Sequence, residues 1–374
     1  MVAEGPALAG FDYDYRMWCA ACGQTTVITA HRYHERMGID ALSPCAHCEA
    51  DIHYGPASAA LRDSADPLLS NEVAAQAVWF HSSTYPDWPS SGYEDKACAG
   101  LDEGGLSRMV SAERVRRRLL TRALHLGTYE AAVENMLRRM QNQADADSVF
   151  YLHRVTLRIA AEAIEEGFRD ENHHPASRLG IDELEDSGLL AVRYLNVHEA
   201  MGSLSLAIDP AVIDTIATIE LPVGELASEP SQELLERLSE LDAEIAAATG
   251  SIPDTSHIDA IELRMRELFP QPGDDIAAAL ESATERSRAA WDQALELLER
   301  TYLSAGANAV VRDDFVHAMT AGDNDSVQAL HRRYRAYAAL LTHSEQVVDL
   351  LGHQPVRPGE QSQLVRVRRE SRNR

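Results

Sequence analysis

The sequence predicts an α+β protein: a small four-cysteine zinc ribbon, a mixed α/β section and a C-terminal α-helical bundle or arm. Three observations predict it. Two C-x-x-C pairs, Cys19/Cys22 and Cys45/Cys48, stand 22 residues apart near the N-terminus. Between residues 78 and 208, strand-length runs rich in β-formers are bounded by turn or charged residues. From about Pro230 the apolar residues recur with the helical period. The chain therefore divides into residues 1–65, 66–228 and 229–356, with 357–374 as a basic tail whose composition predicts disorder.

Composition narrows the function classes. The 374 residues carry a net charge of −25, which argues against wholesale binding to nucleic-acid phosphates. A local basic patch remains compatible with that charge. Lys96 is the only lysine, and arginine supplies every other basic residue. Arginine chemistry at many sites is one explanation. A GC-rich genome, actinobacterial or phage, is the plainer one. No run of eighteen apolar residues is present, so no membrane span is expected. Residues 1–10 lack the basic start and apolar core of a secretory signal, so the expected compartment is the cytoplasm, the host's if a phage encodes the protein.

In the ribbon, each C-x-x-C turn aims two sulfurs at one tetrahedral ion, and two such turns complete a closed zinc site of Cys19, Cys22, Cys45 and Cys48. Disulfides are the alternative, disfavoured in an intracellular protein. A redox C-x-x-C is another, but a doubled motif favours metal. With no open coordination position the zinc is structural. A hairpin is expected to bridge the two pairs. His31, His34, His47 and His53 lie nearby, and four cysteines suffice without them. The run from His31 to Arg36 mixes basic and aromatic residues, suited either to a phosphate backbone or to a solvated helical turn.

A short connector follows. Ser64-Ala65-Asp66-Pro67 reads as a turn, and Asn71 as the cap of a short helix. The first middle strand is Val78-Trp79-Phe80-His81-Ser82-Ser83-Thr84-Tyr85, after which Pro86-Asp87-Trp88-Pro89 turns the chain. Cys98 reads as a small buried hydrophobe. A helix near residues 111–121 presents Arg114, Arg116, Arg117 and Arg118. A second strand breaks at Gly127 and enters a helix over about 128–140, with Thr128 as cap and Glu130 in its first turn. Strands are expected at 150–157, 192–199 and 202–208. Residues 160–190 are acidic and irregular, and Asp170-Glu171-Asn172-His173-His174-Pro175 reads as a solvated loop rather than a metal site.

In the last third, Leu234, Leu235, Leu238, Leu241 and Ile245 share one helical face. Ile258, Ile261, Leu263, Met265 and Leu268 form a second apolar group. A long helix over 274–303 and another over 326–351 complete a bundle or arm suited to scaffolding or self-association. Asp323-Asn324-Asp325 lacks the rest of a calcium loop and reads as a helix cap.

The middle section resembles the ADP-ribosyltransferase fold family. Phe80-His81-Ser82-Ser83-Thr84 looks like the family's first strand, which ends in histidine and small polar residues. Leu124-His125-Leu126-Gly127-Thr128-Tyr129-Glu130-Ala131-Ala132 looks like its second strand and alanine-rich helix. Tyr151 to Leu157 looks like the third strand, and Asn196-Val197-His198-Glu199 with Gly202-Ser203-Leu204-Ser205 like the late region that supplies a glutamate. The resemblance covers about 130 residues. It implies an NAD-dependent mono-ADP-ribosyltransferase acting on a protein or nucleic-acid target. It assigns catalysis to His81 and Glu199, and NAD binding to His81, Ser82, Ser83, Thr84, His125, Gly127, Thr128 and Tyr129. His81 would donate to a ribose hydroxyl. Tyr129 or Tyr85 would pack on the nicotinamide, and the Glu199 anion would stabilise the oxocarbenium ion. Two departures stand out. His-Ser-Ser-Thr replaces the family's His-Gly-Thr, and Leu124-His125-Leu126 occupies the place of its second-strand tyrosine, so His125 has to substitute. Two other function classes fit the same sequence. One is a catalytically inactive binding module. The other is a structural or assembly protein, possible for a viral chain, that uses ribbon and helical arm for subunit contacts.

Overall fold

The computed structural model describes residues 10–36, 42–53, 55–89, 121–142, 145–173, 176–251, 275–303, 306–322 and 326–359. Outside them lie Cys98, the arginine-rich helix expected near 111–121, His174, the apolar group at 258–268, the cap at 323–325 and the tail beyond 359. Within them the chain is α+β. No helix among the described residues is long and apolar enough to cross a membrane.

Two small antiparallel hairpins open the chain. Strands β1 (Tyr15–Trp18) and β2 (Thr25–Ile28) pair with Tyr15 opposite Ile28. Strands β3 (Leu42–Pro44) and β4 (Asp51–His53) pair with Leu42 opposite His53. Each C-x-x-C forms the turn of one hairpin. The span between the pairs is not a single hairpin: it contains β2, helix α1 (Ala30–Arg36) and β3. A compact core of Tyr15, Met17, Ile28, Tyr33 and Ile52 holds this module, with Tyr15 and Tyr33 stacked at 4.1 Å.

A connector with helix α2 (Asn71–Gln76) leads into the middle of the chain. Its cap is Ser70, whose side chain accepts from the Val73 N–H. Asn71, the expected cap, instead donates to the Ile164 carbonyl and accepts from Arg193. Strand β5 (Trp79–Ser83) follows, then β6 (Leu124–Leu126), helix α3 (Tyr129–Asn142) and β7 (Phe150–Leu157). The region expected to be irregular holds a short β8 (Arg169–Asp170) and helix α4 (Ile181–Asp186). Arg169 ties its neighbours together by ion pairs to Glu165 and Glu183. Strands β9 (Ala191–Leu195), β10 (Leu204–Ile208) and β11 (Ile213–Leu221) complete the section. The expected strand over 192–199 ends at Leu195, because Asn196 turns its amide onto the following backbone. β11 was not among the expected strands, yet it is central, pairing along its length with β7.

The strands make two four-stranded sheets, β12-β11-β7-β5 and β6-β10-β9-β8, where β12 is Val356–Pro358. Phe80 and Gly127 join them at one bridge, exchanging two backbone hydrogen bonds of 2.9 Å. Beyond that bridge β5 and β6 part. Gly127 is required here: a Cβ would lie 2.8 Å from the Ala131 Cβ, so helix α3 can start this close to the strand only above a glycine.

Helices α5 (Gln232–Gly250), α6 (Asp275–Tyr302), α7 (Ala309–Thr320), α8 (Val327–Thr342) and α9 (Ser344–Gly352) follow. The single helix expected over 326–351 is thus two, broken at His343 (φ −128, ψ 35). Leu234, Leu238 and Leu241 are buried, as their spacing requires. They share one core with Met136 and Leu137 of α3, Phe150 of β7, and Phe315 and Tyr334 of the C-terminal helices. β12 returns to pair with β11. The boundary drawn at residue 228 therefore falls inside one continuous core. Each large apolar side chain buried there contributes about 1.5–3 kcal/mol, so the helices hold to the sheet by packing rather than by propensity.

Candidate functional site

Where β5 and β6 part, a cleft of about 580 Å³ opens. Phe80, His81 and Ser82 line it from β5, and His125, Leu126 and Gly127 from β6. Helix α3 adds Ala131, Ala132, Asn135 and Arg138. Tyr194, Ser205 and the β9–β10 loop, with Asn196, His198 and Glu199, close the far side together with Glu171 and Asn172. His81 and Glu199, distant in sequence, share this cleft.

His81 spans the gap between the parting strands. Its Nδ1 donates to the His125 carbonyl at 3.0 Å, since a carbonyl only accepts. Its ring stacks on Trp88 with centroids 4.0 Å apart. Burial pushes its pKa down to about 3, so the ring is neutral and Nε2 keeps its lone pair. The expected role is corrected on this point: Nε2 is an acceptor, not a donor to a hydroxyl. His125 is likewise held neutral by burial, its pKa lowered to about 4.

Two hydrogen-bond networks converge on Glu199. In the first, Ser82 Oγ accepts from Asn135, whose Oδ1 accepts from Arg138 at 3.2 Å. Arg138 places Nε at 2.6 Å and Nη2 at 2.5 Å from Glu199 Oε1. In the second, Asn196 Oδ1 accepts from the backbone N–H groups of His198 and Glu199, at 3.1 and 2.9 Å. Asn196 Nδ2 reaches Ser205 Oγ, and His125 Nδ1 meets the Tyr194 hydroxyl at 3.2 Å. One network fixes the carboxylate and the other fixes the backbone beneath it.

The loop is also clamped from behind. Arg62 Nη2 donates to the Ala200 carbonyl at 2.8 Å, and the Arg62 N–H to the Gly202 carbonyl at 2.9 Å. Gly202 sits at φ +86, and a Cβ there would lie 2.7 Å from the Ala60 carbonyl oxygen. The Ala60 N–H in turn donates to Arg16 in β1, so the cysteine module reaches the Glu199 loop through three residues. Glu134 of α3 completes the clamp, accepting from the Ala200 N–H and from the Tyr13 hydroxyl.

Glu134 gives a pH signature. Burial, with Asp314 adding to it, raises its pKa to about 7 against the hydrogen bonds from Tyr13 and Ala200 and the charge of Arg62. The folded state therefore keeps a proton that the unfolded chain loses from about pH 4.5 upward. Stability from this group falls as pH rises through that window and is fully lost above about 7, an effect on the order of a few kcal/mol. His81 and His125 act oppositely, costing stability as pH falls below their unfolded value of about 6.5. The Glu134 part is thus a difference: by urea unfolding across pH 4–8, the wild type should lose stability relative to Glu134→Gln as pH rises from about 4.5 to about 7.

The structure brings His81, Ser82, His125, Gly127 and Glu199 together and leaves the other expected NAD residues elsewhere. Ser83 turns away, its Oγ donating to the Tyr85 carbonyl and meeting His153 Nε2. Thr84 and Tyr85 do not line the cleft. Thr128 caps α3, accepting from the Ala131 N–H. Tyr129 is buried between Phe11 and Phe80, its hydroxyl donating to Leu340. It cannot pack on a ligand in this cleft, because the residue after a helix cap points into the core here. Asn135, Arg138, Glu171, Tyr194, Asn196 and Ser205 are cleft residues absent from the sequence assignment. Asn135 and Arg138 had a signal: they stand one turn apart on α3, on the face that carries Ala131.

The four cysteine sulfurs lie within 4.8 Å of one another. Cys19 and Cys48, and Cys22 and Cys45, have sulfurs 3.7 Å apart. That is too long for a disulfide, and it matches the edge of a tetrahedron with metal–sulfur bonds of about 2.3 Å. The His47 N–H donates to Cys45 Sγ, a hydrogen bond that favours the thiolate a metal ligand must be. His47 Nε2 itself is engaged with the Thr25 carbonyl, and His34 faces Asp313. Among the described residues no other His, Cys, Asp or Glu group has metal-binding geometry.

No family model, curated protein or solved structure matches the chain.

Proposed function

We propose that the cleft binds NAD and breaks its nicotinamide–ribose bond, transferring ADP-ribose to an acceptor. The observation that carries this reading is Glu199 held rigidly across one cleft from His81, as the resemblance to ADP-ribosyltransferases implies. The volume suits the reading too, falling within the range of about 300–1,000 Å³ typical of cofactor sites. Breaking the bond builds positive charge on the ribose, and an anionic carboxylate fixed beforehand stabilises that charge without reorganisation. His81 Nε2 accepts from a ribose hydroxyl. Ser82, kept in place by Asn135, offers a second polar contact. The small side chains of Gly127, Ala131 and Ala132 leave room for a flat ring.

One observation favours a second reading, an inactive NAD-binding module. Arg138 puts two nitrogens on the same Glu199 oxygen and offsets the charge the chemistry needs. Nicotinamide release from NAD by the purified chain separates the two: the enzyme releases it and the binding module does not. In either case the four cysteines hold a structural zinc. Their hairpins and the C-terminal helices are the surfaces available for choosing a protein or nucleic-acid target.

A further inference from the structure

A second carboxylate faces the same cleft. Glu171 follows β8, and its Oε2 accepts from the Val197 N–H at 3.3 Å, on the loop that carries Glu199. The two acids have different surroundings. Arg138 makes its close contacts to Glu199, whereas among the described residues Glu171 accepts one long backbone hydrogen bond. Burial raises the Glu171 pKa, and the Glu199 charge adds to the rise, against Val197, His198 and Arg138. A carboxylate held by a guanidinium and a neighbouring one without that partner divide the work of charge stabilisation and proton transfer.

We infer that Glu171 is the general base of this site and that the acceptor it serves is a hydroxyl. The inference rests on the NAD-cleaving reading above. In the step, the hydroxyl oxygen forms a bond to the anomeric carbon of the nicotinamide ribose. The carbon–nitrogen bond breaks, and its electron pair neutralises the pyridinium nitrogen as nicotinamide departs. The hydroxyl proton passes to the Glu171 carboxylate and from there to solvent. An acceptor carboxylate needs no base and would arrive as a third negative charge beside Glu171 and Glu199. A hydroxyl arrives neutral and loses its proton only as the bond forms, which is the work of a positioned base.

The hydroxyl belongs to water or to an alcohol, and the experiment has an arm for each. Nicotinamide release from NAD is measured across pH with the full-length wild type, Glu171→Gln and Glu171→Ala, and products are analysed with and without methanol. Glu171→Gln should bind NAD within about threefold of the wild type but turn over 10²–10⁴-fold more slowly, the usual range for a lost base. It should also lose the acidic limb of the pH profile, because the base works only when deprotonated. Formate should restore part of the Glu171→Ala rate, which a structural role would not allow. Methyl ADP-ribose in methanol identifies an open alcohol site, and free ADP-ribose alone identifies water; both support a hydroxyl acceptor. A Glu171→Gln protein with wild-type turnover and pH profile overturns this inference and leaves the NAD reading standing. A wild type that releases no nicotinamide overturns both.

Discussion

Glu199→Gln should lower NAD turnover by about 10³-fold or more while leaving NAD affinity within a few-fold of the wild type. The charge matters most where the ribose becomes cationic, so its loss falls on the transition state and not on the bound substrate. The fold should survive. The Arg138 side chain is 43% exposed and Glu199 14%, so an arginine left by the substitution can turn to solvent rather than stay buried without its partner. The Asn196 contacts hold the loop through backbone N–H groups that glutamine retains. Arg138→Ala then decides what the arginine does. If Arg138 orients the carboxylate, turnover falls. If it sequesters the carboxylate in a binding module, turnover appears where there was none. Steady-state kinetics beside calorimetric NAD titration reads both variants.

Stripping the metal, or replacing Cys45 by Ser, should unfold the N-terminal module and loosen the Glu199 loop with it. Purified protein should carry close to one zinc per chain, with no disulfide among Cys19, Cys22, Cys45 and Cys48. A structural zinc supplies on the order of 10 kcal/mol of binding energy that is folding energy. The module's own core is too small to replace that. The effect should spread along Arg16, Ala60 and Arg62 to Ala200 and Gly202, the contacts that clamp the loop. Hydrogen exchange should therefore speed up in residues 196–203 as well as in 15–53 after chelation. Faster exchange confined to the module would show that the clamp does not couple them.

Legibility in the sequence followed the range of each signal. The cysteine pairs were readable because a C-x-x-C turn is local, and their meeting needs only two hairpins. The strand at 150–157 was readable because aromatic, leucine and β-branched residues recur from Phe150 to Leu157. β11 escaped because Ile213-Asp214-Thr215-Ile216-Ala217-Thr218-Ile219-Glu220-Leu221 interleaves polar with apolar residues without a clean period, and its place comes from pairing with β7. The meeting of His81 and Glu199 in one cleft was expected from a resemblance that spans the middle of the chain. Glu171 was not, because an acidic residue in a turn looks solvated until the fold buries it beside Val197. Tyr129 misled for the same reason in reverse. An aromatic after a helix cap looks available until Phe11, from the far end of the chain, packs on it. The shared core of middle and C-terminal helices was equally invisible, since helical periodicity gives a buried face without naming what it packs on.

NAD is expected in the cleft between His81 and Glu199. A crystal structure of the Glu199→Gln protein soaked with NAD tests it most directly. The nicotinamide ribose should lie in the cleft, with a ribose hydroxyl on His81 Nε2 and the anomeric carbon facing residue 199. NAD bound at another surface, or an empty cleft at millimolar NAD, would contradict it.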